Sequence, residues 1–376
     1  MENKKNIWMI DSTLRDGEQS PGVVFNLENK LIIANILDDA GINEVEVGIP
    51  SMGVKESNEI SLINNHGFSF RVTTWCRALK KDISTAHSCG VKSIHISFPV
   101  SGILFEIMNK TEEIILNEMK EILLYACNLF EFVSIGAMDA TRANLVFLTK
   151  FVKKARKYGA YRIRLADTVG IGTPNSTGTM IKTLISFEDK IEYEFHGHND
   201  LGMATANSIN AIDEGASAIS STVNGLGERA GNARLEELAA AIKYATDKNS
   251  SVDPSKIVPA CDYLSKITGR PLSVDKPITG SHIFDHESGI HCSAILKNPI
   301  SFQPFSPEEI GRKKGEFVIG KHSGRAVIKH RLKTLGITVT KENLYDILTK
   351  VREFAGEKGR AMTNAEILTI YHSIYN

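Results

Sequence analysis

One stretch of the chain, residues 192–223, predicts a complete strand–helix–strand unit: EYEFHGHNDLGMATANSINAIDEGASAISSTV. Short and largely apolar runs occupy 192–198 and 218–223, and an amphipathic stretch occupies 202–214 between them. Short apolar runs are typical of buried parallel strands, and a helix is the usual connection between two such strands. The stretch therefore predicts a β–α–β unit.

The same alternation recurs from residue 7 onward. Further strands are predicted at 7–11, 44–48, 70–75, 93–98, 132–137 and 162–167. Helical patterns lie at 27–40, 55–65, 81–88, 112–129, 143–158, 176–187 and 234–245, in addition to 202–214. Eight strand–helix pairs in roughly 245 residues match an α/β fold of the (β/α)₈ TIM-barrel type. A doubly wound sheet is the alternative, but it seldom needs eight such regular repeats.

The pattern changes after the eighth helix. Residues 254–268 are predicted to be helical, whereas 269–307 are rich in Gly, Pro, Ser and His with little periodicity. Such a long loop in an enzyme is more often functional than idle. Helices are predicted again at 323–335, 341–355 and 364–375. We therefore expect a catalytic barrel over 1–268, a loop-rich linker subdomain over 269–312, and a small helical subdomain over 313–376.

Composition narrows the class of protein. Lys and Arg total 44 and Asp and Glu total 44, so the net charge is zero and favours neither nucleic acid nor an anionic membrane as partner. No apolar run approaches the ~20 residues that a bilayer span needs, and the first residues lack a signal-peptide pattern. The five cysteines have no CxxC spacing, which argues against a disulfide framework or a thiolate zinc site. These features predict a cytoplasmic enzyme.

Three separated motifs carry the chemistry: DSTLRDGEQ at 11–19, HGHND at 196–200 and NGLGERAGN at 224–232. They follow the first, seventh and eighth predicted strands, where the catalytic groups of TIM barrels lie. Asp16, His196 and His198, with an amide from the third motif, form a mixed oxygen and nitrogen set that suits a divalent metal. Core histidines and a phosphate-binding glycine loop are alternative interpretations, although the loop does not match the Walker pattern.

Together, the motifs resemble those of the barrel enzymes that condense acetyl-CoA with a 2-oxo acid, namely the isopropylmalate, citramalate and homocitrate synthases. Within this family, GIPSMG at 48–53 and WCR at 75–77 are most similar to homocitrate synthases of the nitrogen-fixation type. There homocitrate becomes a ligand of the nitrogenase iron–molybdenum cofactor. The resemblance implies 2-oxoglutarate and acetyl-CoA as substrates, and a homodimer as the assembly.

The resemblance also assigns residue roles. The expected ligands of a Mg²⁺, Mn²⁺ or Zn²⁺ ion are Asp16, His196, His198 and Asn232. Arg15 is expected to stabilise negative charge on the former carbonyl oxygen, and Arg142 to bind the distal carboxylate of 2-oxoglutarate. His291 from the partner subunit is expected to assist removal of the acetyl-CoA methyl proton. The remaining expected residues are Gln19, Arg77 and Thr168 for substrate binding and Glu228 for catalysis.

Two positions depart from the family pattern. Met138 stands where relatives carry a glutamate near the reacting centre, and Phe302 stands where they carry a tyrosine. These two departures leave open a metal-binding but catalytically silent protein. The same reaction on another 2-oxo acid and the reverse lyase reaction are two further alternatives. The lyases use a cysteine in the loop after the eighth strand, whereas this chain has GERA there.

Overall fold

Eight short strands form a closed parallel barrel in the computed structural model, which describes residues 5–375. The strands are β1 (Trp8–Asp11), β2 (Glu44–Glu46), β3 (Arg71–Arg77), β4 (Ser93–Pro99), β5 (Phe132–Met138), β6 (Arg162–Asp167), β7 (Glu192–Gly197) and β8 (Ala218–Ser221). Each strand pairs with the next, and β8 closes the ring against β1 with Trp8 opposite Ala218. The predicted TIM barrel is confirmed.

Ten α-helices accompany the strands in this part of the described chain. They are α1 (Leu27–Asp39), α2 (Val54–Asn64), α3 (Lys80–Ser88), α4 (Gly102–Ile107), α5 (Glu112–Ala126), α6 (Leu145–Lys157), α7 (Pro174–Phe187), α8 (Ala204–Asp213), α9 (Leu235–Ala245) and α10 (Pro254–Thr268). The predicted helices are all present, with ends shifted by a few residues. The six-residue helix α4 was not predicted, because so short a segment shows no helical periodicity.

Helix α6 illustrates how the sequence builds the outer ring. The Asn144 side chain accepts hydrogen bonds from the N–H groups of Val146 and Phe147, and so caps the first turn. Phe147 and Phe151 recur at helical spacing and are almost fully buried. Each such side chain stabilises the fold by roughly 1.5–3 kcal/mol through burial. Capping and burial together fix α6 on the barrel.

The interior of the barrel contains charged side chains at positions that are usually apolar. Glu44, Glu46, Arg162, Arg164 and Glu194 are all at most 2% exposed. Glu44 Oε1 lies 2.7 Å from Arg162 Nη2, and Glu46 Oε1 lies 2.8 Å from Arg164 Nη2. Glu194 contacts both arginines. Because each buried charge has a partner of opposite sign, the interior is an ion-pair network.

A second compact unit begins at Leu272, and the first ends at Pro271. Its helices are α11 (Gly289–Ile295), α12 (Arg325–Thr334), α13 (Lys341–Lys358) and α14 (Asn364–Tyr375). Cys292 of α11 belongs to the same buried apolar cluster as Val327, Ile347 and Ile367 of the three later helices. The structure therefore has one boundary within residues 5–375, whereas the sequence suggested two, after 268 and after 312.

The segment 269–307 is more ordered than its composition indicated. Besides α11, it contains a 3₁₀ helix at Pro299–Phe302, which the Asn298 side chain caps through the N–H of Ile300. The irregular composition hid these short elements, because neither shows a repeated apolar pattern. Across residues 5–375, no helix combines the length and the apolar character that crossing a membrane would require.

Candidate active site

A cavity of about 200 Å³ opens at the end of the barrel where the strands terminate. All three motifs contribute to it, together with side chains of β3 to β6. Its lining comprises Arg15, Asp16, Gln19, Trp75, His95, Ser97, Gly136, Met138, Arg164, Ala166, Thr168, His196, His198, Glu228 and Arg229. The three motifs therefore converge on one cavity.

A tight turn after β1 presents Arg15 and Asp16 to the cavity. The Ser12 carbonyl accepts hydrogen bonds from the N–H groups of Arg15, Asp16 and Gly17, at 2.8–3.1 Å. The buried Asp11 carboxylate holds the start of the turn, because it accepts from both the N–H and the hydroxyl of Thr13 at 2.9 Å. Arg15 and Asp16 are consequently fixed and buried, at 8% and 2% exposure.

Asp16, His196 and His198 converge in the cavity, and one potential ligand atom from each lies within 4.8 Å of the other two. Asp16 Oδ2 is 3.0 Å from His196 Nε2 and 3.9 Å from His198 Nε2, and the two Nε2 atoms are 3.3 Å apart. His196 Nδ1 lies 3.0 Å from the Ser220 hydroxyl, which orients the ring. The three groups are arranged as ligands of one ion would be.

The loop after β8 brings Asn232 to the same place. Backbone hydrogen bonds join it to the end of β7, with Ala233 N–H donating to Gly197 O at 3.0 Å, and His198 and Asn232 form a β-bridge. The Asn232 amide nitrogen donates to Leu226 O at 3.1 Å. A Cβ at Gly227 would lie 2.2 Å from that nitrogen, so this close approach requires glycine.

Unsatisfied polar atoms test whether these residues suit a metal. Asn232 Oδ1 is buried and accepts no hydrogen bond, whereas Asp16 Oδ2 is in charged contact with Arg15 and His196. A buried acceptor without a partner is costly, and coordination of a cation would remove the cost. Carboxylate, amide and imidazole donors suit Mg²⁺, Mn²⁺ or Zn²⁺. The residues present therefore fit a divalent ion.

The protonation states agree with a ligand role. Burial alone would raise the pKa of Asp16, but Arg15 and His196 together bring that pKa below its ordinary value. Burial and the neighbouring His196 lower the pKa of His198 to about 4. At neutral pH, Asp16 is therefore an anion and His198 a neutral imidazole with a free lone pair.

Glu46 supports Arg15 from below the cavity, and Arg164 of the cavity wall contacts the other Glu46 oxygen. Arg15 donates from Nε and Nη2 to Glu46 Oε2, at 2.9 and 2.7 Å, and its Nη1 lies 3.4 Å from Asp16 Oδ2. Burial would raise the pKa of Glu46, but Arg15 and Arg164 hold it well below its usual value. Glu46 therefore remains ionised and fixes the Arg15 guanidinium beside the candidate metal ligands.

The wall formed by β3 to β6 is partly apolar and partly polar. Trp75, Met138 and Ala166 supply apolar surface, whereas His95, Ser97 and Arg164 supply polar groups. Burial and the nearby Arg164 lower the pKa of His95 well below its usual value, and His95 Nδ1 lies 2.6 Å from the Ser134 hydroxyl. His95 is therefore a neutral hydrogen-bonding group in this wall.

Not all of the predicted site residues lie together. Gln19, Thr168 and Glu228 line the cavity, whereas Arg142 and Arg77 do not. Arg142 forms a salt bridge at 2.8 Å with the buried Asp139, and Arg77 forms one at 2.7 Å with Asp82. Because both arginines are held on carboxylates of their own segments, neither contributes to the cavity in this arrangement.

His291 belongs to the second compact unit. Its ring stacks on Phe302, with centroids 4.1 Å apart and planes inclined by 22°. The His286 ring lies 6.1 Å from that of His291, and Gln303 Nε2 is 3.4 Å from His286 Nε2. His286 and His291 thus form one cluster with Phe302.

Several residues in the cavity wall or below it were missed by the sequence reasoning. Glu46 and Arg164 occupy the patterns EVE (44–46) and RIR (162–164), in which charges of opposite sign alternate with apolar residues on two different strands. That alternation is a detectable signal of charges that point into a barrel. His95 alone in SIHIS (93–97) gave no such signal.

Two family models together account for most of the chain. A family described as HMGL-like matches residues 6–263, and a homocitrate synthase post-HMGL domain-like family matches residues 278–359. A hydroxymethylglutaryl-CoA lyase of Pseudomonas aeruginosa has a similar fold, with a TM-score of 0.64 and 20% identity over 72% of this chain and 96% of the lyase.

Three relatives of higher identity are synthases. A 2-isopropylmalate synthase of Caldanaerobacter subterraneus is 40% identical over 98% of this chain and 96% of the relative. A homocitrate synthase of Nostoc sp. is also 40% identical, over 96% of this chain and 95% of the relative. A Methanocaldococcus jannaschii (R)-citramalate synthase is 37% identical, over 97% of this chain and 74% of the relative. The chain therefore belongs to the HMGL-like family of enzymes, in the group of the homocitrate, 2-isopropylmalate and citramalate synthases.

Proposed function

We propose that this enzyme is an acyltransferase that condenses acetyl-CoA with 2-oxoglutarate and water to give homocitrate and coenzyme A. The observation that carries the proposal is the buried cluster of Asp16, His196 and His198, with Arg15 beside it, in a cavity that also contains polar groups on its far wall. The similarity to homocitrate synthases over nearly the whole chain supports the same reaction.

Asp16, His196, His198 and Asn232 would hold the divalent ion. When bound, such an ion polarises the 2-oxo carbonyl and makes its carbon electrophilic without any proton transfer. Arg15 stabilises negative charge on the carbonyl oxygen, since its guanidinium is already fixed by Glu46 and needs no reorganisation. The Thr168 hydroxyl accepts from Asp139 N–H at 2.8 Å and keeps its own proton to donate to the substrate 1-carboxylate.

The far wall is suited to a second carboxylate. The distal group of 2-oxoglutarate would meet His95, Ser97 and Arg164, which offer hydrogen-bond donors, while its methylene groups contact Trp75 and Met138. An unpaired carboxylate in a closed site costs ~3 kcal/mol or more, so these donors favour a diacid whose distal carboxylate they pair. Arg142 can bind the distal carboxylate as well only if its salt bridge with Asp139 breaks.

A second candidate is 2-oxoisovalerate, which would give 2-isopropylmalate. The salt bridge between Arg142 and Asp139 favours it, because that arginine is not free for a distal carboxylate. Arg142→Ala separates the candidates. If Arg142 binds substrate, the variant loses 2-oxoglutarate turnover far more than turnover of a monocarboxylate; equal losses would make Arg142 structural.

Removal of the acetyl-CoA methyl proton needs a base whose charge is compensated as the enolate forms. Glu228 lines the cavity and is the candidate within the same chain. We assign the assisting role to His291 of a second subunit, so that a homodimer completes the site. Stacking on Phe302 keeps the His291 ring in a defined orientation.

Exposed apolar side chains around the barrel mouth support an assembly. Val24, Met52, Val54, Ile107 and Val146 lie in or next to the segments that follow β1, β2, β4 and β5, and each is 66–84% exposed. Exposed apolar side chains at one end of a barrel are candidates for burial in a protein–protein interface. A partner subunit that covers the mouth would bury these side chains.

The homocitrate formed would supply the nitrogenase iron–molybdenum cofactor. This part of the proposal rests on GIPSMG at 48–53 and WCR at 75–77. In a nitrogen-fixing host, disruption of the gene should lower nitrogenase activity, and added homocitrate should restore it. A disrupted strain with full nitrogenase activity would contradict this role.

Release of free coenzyme A from acetyl-CoA across a panel of 2-oxo acids tests the reaction. With Mg²⁺, Mn²⁺ or Zn²⁺ present, 2-oxoglutarate should give the highest kcat/KM, and a chelator should abolish the release. A higher kcat/KM with 2-oxoisovalerate or pyruvate would mean that the enzyme forms a product other than homocitrate. An absence of release with any oxo acid would indicate a catalytically silent protein.

A further inference from the structure

Arg229 adopts a backbone conformation that its residue type disfavours. It lies in the loop after β8, in a turn closed by the Gly231 N–H, which donates to Glu228 O at 2.8 Å. Its φ of 54° is in the left-handed region, which glycine and asparagine occupy far more readily than arginine. A strained non-glycine position of this kind indicates that its side chain has a function.

The Arg229 side chain joins three successive loops at the cavity. Its Nε and Nη2 donate to the two carboxylate oxygens of Asp200, at 2.7 and 2.9 Å, and Nη2 also donates to Thr168 O at 2.8 Å. Thr168 follows β6 and Asp200 follows β7. Only a planar guanidinium presents this pattern of donors, so lysine cannot reproduce it.

The loops that Arg229 joins are also in close contact. A Cβ at Gly170, whose φ is 64°, would lie 2.4 Å from Asp200 Oδ2. The segment after β6 therefore fits directly against Asp200. A change in either loop must displace the other.

The same loops carry residues of the candidate site. The Thr168 carbonyl oxygen accepts a hydrogen bond from Arg229. In the other two loops, His198 lies two residues before Asp200, and Glu228 immediately precedes Arg229. We propose that Arg229 is a positioning residue that holds these three loops in register, and thereby sets Thr168 for the oxo acid and His198 for the metal. The part of this inference that concerns substrate and metal rests on the proposed function.

Arg229→Gly distinguishes positioning from general stabilisation. Glycine accepts the left-handed backbone without strain, but it removes all three hydrogen bonds. The variant should keep a Tm close to that of the wild type, while the KM for the oxo acid and the Kd for Mn²⁺ both rise by ~10-fold or more. A merely structural role predicts the reverse, with a lower Tm and an unchanged KM and Kd.

A matched control comes from the same loop. Arg234 forms a salt bridge with Glu237 at 2.8 Å and does not line the cavity. Arg234→Lys should leave KM and Kd within about twofold of the wild type. Arg229→Lys should resemble Arg229→Gly, because the charge alone does not replace the guanidinium.

Hydrogen exchange followed by mass spectrometry tests the proposal without turnover. In Arg229→Gly, amides of 168–170 and 199–202 should exchange faster than in the wild type, and Mn²⁺ measured by calorimetry should bind more weakly. Unchanged exchange in both segments would overturn the proposal, whatever the activity. Loosened loops in a protein that condenses no oxo acid would instead overturn the proposed function and retain the positioning role.

Discussion

Glu46 Oε2 accepts two hydrogen bonds from Arg15, at 2.9 and 2.7 Å, and a third from the Ser12 hydroxyl at 2.7 Å. Both charged side chains are buried, and the other Glu46 oxygen faces Arg164 at 2.8 Å. One carboxylate thus fixes the guanidinium that lies next to the candidate metal ligands. The barrel interior and the site chemistry are physically connected through this pair.

The first prediction concerns Glu46→Gln. Loss of the charge removes one of the two carboxylate partners of the buried Arg15 and of the buried Arg164, so the free energy of unfolding should fall by ~3 kcal/mol. Because Arg15 is no longer fixed, kcat/KM should fall ~100-fold. Chemical denaturation and steady-state kinetics measure the two effects.

Glu131 provides the matched control for this experiment. It pairs with Lys92 at 2.9 Å, but more than 70% of each side chain is exposed. Glu131→Gln should change neither stability nor activity measurably, because exposed pairs contribute little. If Glu46→Gln were equally silent, Glu46 would have no role in holding Arg15.

The second prediction compares two adjacent serines. The Ser220 hydroxyl contacts His196 Nδ1 at 3.0 Å, whereas the equally buried Ser221 hydroxyl contacts Ile10 O at 3.3 Å. Ser220→Ala should weaken Mn²⁺ binding by ~10-fold, because the hydroxyl orients a ligand ring. Ser221→Ala should leave the affinity unchanged. Calorimetry that showed equal effects would mean that Ser220 does not act through His196.

The third prediction concerns assembly. Asp16→Asn and His291→Ala chains should each be inactive alone, since one lacks a metal ligand and the other the partner's imidazole. Co-expressed as a mixture, they should regain part of the activity, because a heterodimer holds one intact site. Purified heterodimers no more active than either parent would place His291 in its own barrel, or outside catalysis.

The sequence predicted the barrel because its evidence is periodic and repeated. Each strand from β1 to β8 is a short apolar or alternating run followed by a helical pattern, and the repetition outweighs errors at single boundaries. The sequence also predicted that Asp16, His196 and His198 lie close together, because motifs that follow strands 1, 7 and 8 meet at one end of a closed barrel.

Other features depend on contacts that one sequence does not reveal. Arg142 was expected at the substrate, and the sequence did not reveal its salt bridge with Asp139, three residues earlier. Glu46 and Arg164 are distant in sequence and meet only because β2 and β6 face each other across the barrel interior. The apolar core that Cys292 shares with the later helices was not predicted for a different reason. Residues 269–307 show no regular spacing of apolar side chains.

The fourth prediction concerns the opposite end of the barrel. Arg71 lies between the rings of Trp8 and Phe132, at 4.8 and 3.9 Å from their centroids, and its Nη1 is 3.3 Å from Glu44 Oε2. Arg71→Ala should lower the free energy of unfolding by ~2 kcal/mol without changing KM, because these contacts lie at the start of the strands. The exposed Arg156→Ala is the control and should be neutral. An altered KM in the Arg71 variant would contradict the prediction that these contacts affect stability alone.

The fifth prediction concerns pH. Burial raises the pKa of Asp11 to about 7, despite hydrogen bonds from Thr13. The folded state therefore binds more protons than the unfolded state between about pH 4 and 7, so this group makes stability fall as pH rises, by up to ~1.4 kcal/mol per pH unit. Asp11→Asn removes the titration. The free energy of unfolding should be measured with urea at pH 5.5 and 7.5. Relative to the wild type, the variant should be more stable at pH 7.5 than at pH 5.5. An equal difference at both pH values would contradict the raised pKa.

The most direct test of the proposed reaction is a competition experiment. The enzyme, with Mn²⁺, receives ¹³C-acetyl-CoA and an equimolar mixture of 2-oxoglutarate, 2-oxoisovalerate and pyruvate, and mass spectrometry identifies the labelled products. The cavity, with its buried metal-ligand cluster and its polar far wall, predicts labelled homocitrate as the main product and none when a chelator is present. Labelled 2-isopropylmalate or citramalate as the main product, or homocitrate formed without metal, would contradict it.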